Sequence, residues 1–338
     1  MAETKHTLAV GVDIGGTKVA AGLVDGNGEI KTQVRTPMVA NREAADGLAA
    51  VVSAIDLLVA RDAKERPLIR GIGICAPGPL DPNTGVVINP PNVMCWRNFP
   101  LADEIEKVYG VPVKVENDAN AAALAEAYWG AGRGFRNIFY AGIGTGIGTG
   151  IVRDNRIYNG RTGAAPEGGH MSIDYHGPPC GCGKPGCVEI LAAGPAIARR
   201  ARAKLTSQQN PRSKILDLAN GKVDAVSSEM VGQAYAAGDA LAGEVLQETV
   251  DLLSLWLSNI VDLLEPDVVI LGGGVAGMLA PFFGDIANGI AKYCIISRCR
   301  EIPLLKAHYG GDSGIAGGAA LCSDQSGVPA SADPHWSA

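Results

Sequence analysis

After a short polar start, the chain runs into apolar stretches punctuated by glycines. Residues 7–14 are apolar at almost every position and read as a buried strand, with residues 17–24 as its hairpin partner across Gly15-Gly16. Residues 29–36 alternate as a third strand, which completes an antiparallel meander. Between 43 and 60, Leu48, Val51, Val52, Ile55, Leu58 and Val59 recur at helical spacing, and residues 69–75 form a short buried strand. Pro77-Gly78-Pro79 forces an irregular loop, and residues 89–92 form a second. A helix over 101–109 and a strand over 111–116 give the order β-β-β-α-β-α-β.

Asn117-Asp118-Ala119-Asn120 then opens a helix running to about Tyr128, with either Asn117 or Asp118 able to cap its first turn. The strand pattern restarts at 137–141, passes a glycine turn, and continues over 149–153, with a strand or turn through Tyr158. Helices follow between 195 and 264, the long amphipathic one starting near Asp239 and ended by Pro266. Residues 267–271 are a buried strand opening into Gly272-Gly273-Gly274, and the last helix is 314–322. Two strand–glycine-turn–strand units, 9–24 and 137–153, suggest a duplicated domain with its glycine turns facing each other across a cleft. The expected division is an N-terminal α/β domain over 1–117, to which helix 312–322 returns, and a larger α/β domain over 118–311. Residues 323–338, rich in Ser and Pro, are expected to fray.

Composition narrows the function classes. The 338 residues suit two domains, and 47% hydrophobic against 19% charged residues describes a globular chain. A net charge of −6 lacks the basic footprint of a nucleic-acid binder. The first residues are polar and mixed in charge, unlike a signal peptide, and no apolar run reaches the length of a membrane span. Cys75, Cys95, Cys294, Cys299 and Cys322 are scattered and expected to be reduced, which points to the cytoplasm.

The other three cysteines are clustered. Cys180, Cys182 and Cys187, with His170 ten residues earlier, lie on a backbone of glycines and prolines free to fold around one ion. Three thiolates and an imidazole make a tetrahedral Zn²⁺ set, with Glu167 and Glu189 bracketing the ligands. Elsewhere, Asp13, Gly15, Gly16, Thr17 and Lys18 occupy a hairpin turn, not a strand–helix junction, so the segment is neither a P-loop nor a dinucleotide fingerprint. There the backbone can approach a polyphosphate, and Asp13 can hold Mg²⁺ through water. Gly144, Thr145 and Gly146 supply a second such hairpin for terminal phosphates, and Gly272, Gly273 and Gly274 a surface for a base or ribose. Asp118, where a strand meets a helix, is a candidate general base, the alternative being a simple cap. Asn92, Asn117, Glu167, His170 and Glu189 offer the paired donors and acceptors that a polyhydroxylated ligand needs.

Taken together, D-I-G-G-T-K, A-P-G-P-L-D, N-V-M-C-W, E-N-D-A-N-A-A-A-L-A-E, G-I-G-T-G-I-G-T-G, E-G-G-H-M, C-G-C-G-K-P-G-C-V-E and L-G-G-G resemble the ROK family of bacterial sugar kinases and repressors, most of all its glucokinases. The resemblance runs from Asp13 to about Ala320. It implies the actin/hexokinase-like fold, a duplicated RNase-H-like α/β domain with ATP and sugar in the cleft between two lobes. It implies that Asp118 is the base, that Asn92, Asn117, Glu167, His170 and Glu189 hold the sugar, and that the two glycine hairpins hold phosphates. It also implies a homodimer or homotetramer.

The expected reaction is therefore transfer from ATP, with Mg²⁺, to the 6-hydroxyl of a hexose. Glucose comes first, and mannose, fructose or an N-acetylhexosamine are the alternatives. One structural Zn²⁺ is expected, and neither nucleic acid nor membrane as partner. Two residues depart from the family pattern. Pro166 precedes Glu167 where a small residue is common, and Thr149 replaces a frequent glycine, so phosphate contacts are expected to differ there. The rival from another class is a sugar-responsive transcriptional regulator, which would need a DNA-binding helix pair that the twelve residues before Asp13 do not make. A sugar-binding sensor without activity is disfavoured by the presence of Asp118 and both hairpins, and a polyphosphate donor by the cysteine loop.

Overall fold

The computed structural model describes residues 7–61, 68–207 and 212–323. Strands β1 (Thr7–Ile14), β2 (Lys18–Val24) and β3 (Ile30–Pro37) form the antiparallel meander, followed by α1 (Ala44–Arg61) and β4 (Leu68–Ala76). A small hairpin, β5 (Leu80–Asp81) and β6 (Val86–Val87), precedes α2 (Leu101–Tyr109) and β7 (Val113–Asn117). β4 lies parallel to β1 and β7 parallel to β4, giving one sheet in the order β3-β2-β1-β4-β7.

After α3 (Asp118–Tyr128), strands β8 (Asn137–Ile143), β9 (Ile147–Arg153) and β10 (Arg156–Ile157) begin a second sheet. Five helices follow: α4 (Val188–Ala192), α5 (Gly194–Ser207), α6 (Lys214–Leu218), α7 (Ser228–Ala236) and α8 (Ala240–Leu264). Then come β11 (Val268–Gly272), α9 (Gly273–Leu279), α10 (Phe283–Tyr293), β12 (Leu304–Lys306) and α11 (Ser313–Leu321). The second sheet runs β10-β9-β8-β11-β12, the strand order of the first sheet repeated. The duplication, faint in the residues, is plain in the topology.

Side chains alternate across a strand, so a sheet covered on both faces is apolar throughout. In β1 the even positions Leu8, Val10, Val12 and Ile14 join Val51, Ile55 and Leu58 of α1 in one core. The odd position Ala9 joins Ile315 and Ala319 of α11 in another. This second face is built for close approach: a Cβ at Gly11 would fall 1.8 Å from the Ile315 carbonyl oxygen, and one at Gly73 would fall 1.7 Å from that of Gly318. Helix backbone therefore rests directly on strand backbone.

Two compact units account for the chain. One takes the described residues of Met1–Tyr140, Gly150–Pro166 and Gly311–Ala338; the other takes Ala141–Thr149 and those of Glu167–Gly310. These units are cut differently from a division at 117/118, because α3 packs with α11 and so stays with the first sheet. Of the tail expected at 323–338, all but Ser323 lies outside the described residues. Among the described residues, no helix is long and apolar enough to cross a membrane.

Candidate active site

β7 runs into α3 without a loop. Asn117, with extended backbone (φ −61°, ψ 144°), is the N-cap, and its side-chain oxygen accepts from the N–H groups of Ala119 at 3.0 Å and Asn120 at 3.3 Å. The cap thus falls to Asn117, which leaves Asp118 as the first helical residue. Asp118 is exposed, and its Oδ1 accepts the Ala119 N–H at 2.8 Å. Protein atoms crowd this carboxyl even though solvent reaches it, and that desolvation raises its pKa. Donation from Ala119 and Asn117 pulls the other way.

Asp13 continues the row Ala9, Gly11 along β1 and faces the first turn of α11, where a Cβ at Gly314 would fall 2.4 Å from its Cγ. Burial raises its pKa, the charge of Asp118 raises it further, and Lys18 and Arg35 oppose both. The hairpin after Asp13 closes through Gly15 N–H to the Lys18 carbonyl at 2.9 Å. A Cβ at Gly16 would fall 2.7 Å from the Asn92 backbone oxygen, so the turn lies against the loop carrying Asn92. Thr17, Lys18 and Asn92 are exposed. The first unit therefore holds Asp13, Gly15, Gly16, Thr17, Lys18, Asn92, Asn117 and Asp118.

Beneath Asp118 lies a polar network that the motifs do not announce. Glu116, 3% exposed, accepts from Asn117 N–H at 2.8 Å and from the Asn159 amide at 2.9 Å. Asn120, 2% exposed, donates to the Asn159 side-chain oxygen at 3.2 Å and to the Ala165 carbonyl at 3.0 Å. Burial raises the Glu116 pKa against these donors. The network fastens the 159–165 loop to the first turn of α3.

The second unit holds the other expected residues. Glu189, in α4, accepts from Ile147 N–H at 2.9 Å through Oε2, and a Cβ at Gly146 would fall 2.5 Å from the same oxygen. Its Oε1 lies 3.9 Å from His170 Nδ1, and Glu167 Oε2 lies 4.0 Å from His170 Nε2. The residue expected to alter phosphate contacts, Thr149, is 3% exposed and accepts the Gly168 N–H at 2.8 Å. Its hydroxyl serves the turn between Glu167 and His170.

His170, Cys180, Cys182 and Cys187 each present one ligand atom, and all four atoms lie within 4.8 Å of one another. Cys180 Sγ is 3.6 Å from His170 Nδ1, and Cys182 Sγ is 3.6 Å from Cys187 Sγ. On a tetrahedral Zn²⁺, two thiolates sit about 3.8 Å apart and a thiolate and an imidazole nitrogen about 3.6 Å apart. The cluster has the dimensions of a metal site, and all three cysteines are free thiols.

Gly144 and Thr145 also line a cavity of about 910 Å³ whose other walls come from the start of α5, from α7 and from α9. Arg202 is anchored there by two N–H groups on the Val226 carbonyl, at 3.1 and 2.6 Å, beside Ser227, Glu229, Gln233 and Tyr235. None of these five residues was legible as a site, because helix periodicity explains them equally well. Of the triple glycine, only Gly274 reaches the cavity. Gly272 caps α9, and a Cβ at Gly273 would fall 2.3 Å from the Ile143 carbonyl oxygen, so these two serve chain packing.

A family model described as the ROK family matches residues 9–325. The glucokinase of Thermotoga maritima is 32% identical over 318 residues, covering 94% of this chain and 98% of the relative. The crystal structure of a ROK family glucokinase from Streptomyces griseus, in complex with glucose and AMPPNP, is 35% identical with a TM-score of 0.78. It covers 93% of this chain and 98% of that one. A ROK family transcriptional regulator, a homologue of an Escherichia coli protein, superposes with a TM-score of 0.84 at 27% identity, covering 94% of this chain and 78% of that one.

Proposed function

The chain belongs to the ROK family, and from that membership we propose that it transfers the γ-phosphoryl group of ATP to the 6-hydroxyl of a hexose, glucose foremost. Its fold is the actin/hexokinase-like one, a strand order used twice. The observation that carries the reading is the state of Asp118. It is an exposed carboxyl with a raised pKa, at the positive end of α3, released from capping by Asn117. That is what a general base for a hydroxyl requires.

Asp118 takes the hydroxyl proton as the phosphoryl group leaves ADP. Phosphoryl transfer passes through a loose transition state that demands positioning and charge stabilisation more than covalent help. Asn92, Asn117, Glu167, His170 and Glu189 hold the sugar in this scheme. The Asn117 oxygen is spent on the cap, and its amide, which also donates to Asp118, is the group it can turn to a hydroxyl. The hairpins at Gly15–Lys18 and Gly144–Gly146 offer N–H groups and Lys18 to the phosphates. Asp13 would hold, through water, the Mg²⁺ that accompanies ATP. The cavity beyond Thr145 suits the base and ribose, since its size falls within the usual range for small-molecule sites and its walls carry both apolar and hydrogen-bonding side chains.

The thiolate and imidazole spacings fit one structural Zn²⁺, held by His170 Nδ1, Cys180, Cys182 and Cys187. With four protein ligands the site is closed, and what the ion supplies is rigidity in the loop between Glu167 and Glu189. His170 Nε2 then faces Glu167, free for a sugar hydroxyl. A cytoplasmic homodimer or homotetramer accords with this role.

A coupled ADP-release assay across glucose, mannose, fructose and N-acetylhexosamines tests the reading, with turnover of glucose expected to be fastest. A protein that binds sugar yet turns over none of them would overturn the kinase reading and leave the inactive sugar sensor in its place. Inertness towards ATP with activity on polyphosphate would overturn the donor.

A further inference from the structure

The turn that carries Glu167 and His170 is held at a point other than the cysteine cluster. Residues Gly168–His170 form a single turn of 3₁₀ helix, too short to be stable alone. Both backbone groups of Gly168 are tied to side chains from other elements. Its N–H donates to Thr149 Oγ1 on β9 at 2.8 Å, and its carbonyl accepts from Trp256 Nε1 on α8 at 3.1 Å. Thr149 is 3% exposed and Trp256 is fully buried, so neither bond is exchanged freely with water.

The fit around these bonds is tight. A Cβ at Gly168 would fall 3.0 Å from the Thr149 hydroxyl and methyl, and one at Gly169 would fall 2.0 Å from the Ile147 carbonyl oxygen. The turn therefore lies flat on β9, with α8 closing it from the other direction. None of these atoms belongs to His170, Cys180, Cys182 or Cys187.

We infer that Thr149 and Trp256 are positioning residues for the hexose, a metal-independent clamp that fixes Glu167 and His170 through the backbone of Gly168. The inference rests on the hexokinase reading and says which part of that site answers to which anchor. The cysteine loop sets His170 from its Nδ1 side and carries Glu189. The clamp sets the turn on which Glu167 and His170 begin and end. At position 149 a glycine would leave the Gly168 N–H buried without an acceptor, so the threonine is the feature that makes the clamp.

The test compares Thr149→Val, which keeps the shape and removes the acceptor, with Thr149→Ser, which keeps the acceptor. In the zinc-loaded protein, Thr149→Val should raise KM for glucose by roughly 5- to 30-fold, as expected when a buried N–H loses its partner and a binding turn loosens. The ATP KM and the zinc content should stay at their wild-type values, and Thr149→Ser should restore the glucose KM. Trp256→Phe, which leaves the Gly168 carbonyl with the Met171 N–H as its remaining donor, should shift the glucose KM in the same direction by less. An unchanged glucose KM in an active, zinc-loaded Thr149→Val protein would overturn the clamp. Loss of zinc in that variant would overturn its independence from the metal. If Thr149→Val fails to fold, Trp256→Phe decides by the same two readings. A wild-type protein without hexokinase activity would defeat the parent reading, an outcome separate from all of these.

Discussion

Asp118 sits two residues after a buried carboxylate and shares a unit with Asp13, and all three carboxyls have raised pKa values for the same first reason, desolvation by the surrounding protein. The sign of the kinetic consequence follows. A general base works when deprotonated, so raising its pKa moves the loss of activity to higher pH. The acid limb of kcat/KM for glucose should therefore lie above the ordinary carboxylate value of about 4. Asp118→Asn should keep the fold, since Asn117 does the capping, and should lower kcat by roughly 10²–10⁴ with a small change in glucose KM. Near-wild-type kcat in steady-state assays would reduce Asp118 to a helix residue. Asp118 was legible as a candidate because strand, cap and carboxylate share one contiguous segment. The bonds of Glu116, Asn120 and Thr149 were not, because their partners Asn159, Ala165 and Gly168 lie 19 to 45 residues away.

Elements with a strong period declared themselves. β1, α2 and α3 fall within a residue of where their apolar spacing puts them, because burial of one face, or of both, dictates that spacing. α9 and α10 did not. α9 begins in a glycine run that reads as a loop, and α10 carries Gly284 and Gly289 inside its turns, so propensity argues against helices that packing nonetheless imposes. The cysteine loop is the opposite case, an element without period whose ligand chemistry makes it readable. Cys182 is the exposed cysteine of the cluster. Cys182→Ser should lower zinc content well below one ion per chain and raise glucose KM, while leaving the ATP KM near wild type, because Gly15–Lys18 and the cavity beyond Thr145 do not depend on that loop. Elemental analysis beside steady-state kinetics checks it. Full zinc with unaltered glucose KM would remove the cluster from the sugar site.

Across the whole molecule, the first unit is sewn together from three separate stretches of chain, and α11 closes it by lying on β1 and β4 through glycine. Neither the period of β1 nor that of α11 shows this pairing, because glycine and alanine carry little pattern; only the strand's alternation hints that its odd face is covered. Gly73→Ala puts a methyl where the Gly318 carbonyl oxygen already is, so sheet and helix must part. The variant should lose about 3 kcal/mol of stability or more, and its Tm should fall by roughly 5 °C or more in calorimetry. A Tm equal to wild type would mean that α11 slides on the sheet at little cost.

That joint also imposes a schedule on biosynthesis. β7 completes the first sheet at Asn117, yet the helix that covers its glycine face begins only at Ser313, on the order of 200 residues later. At about 5–20 residues per second, a ribosome needs roughly 10–40 s to bridge that interval. Throughout it the nascent sheet holds an apolar face open to whatever binds such surfaces. Helix α11 is thus the latch of a sheet whose strands are made long before it. Ribosome-stalled chains ending before residue 313 should recruit chaperones that chains stalled after α11 has emerged release.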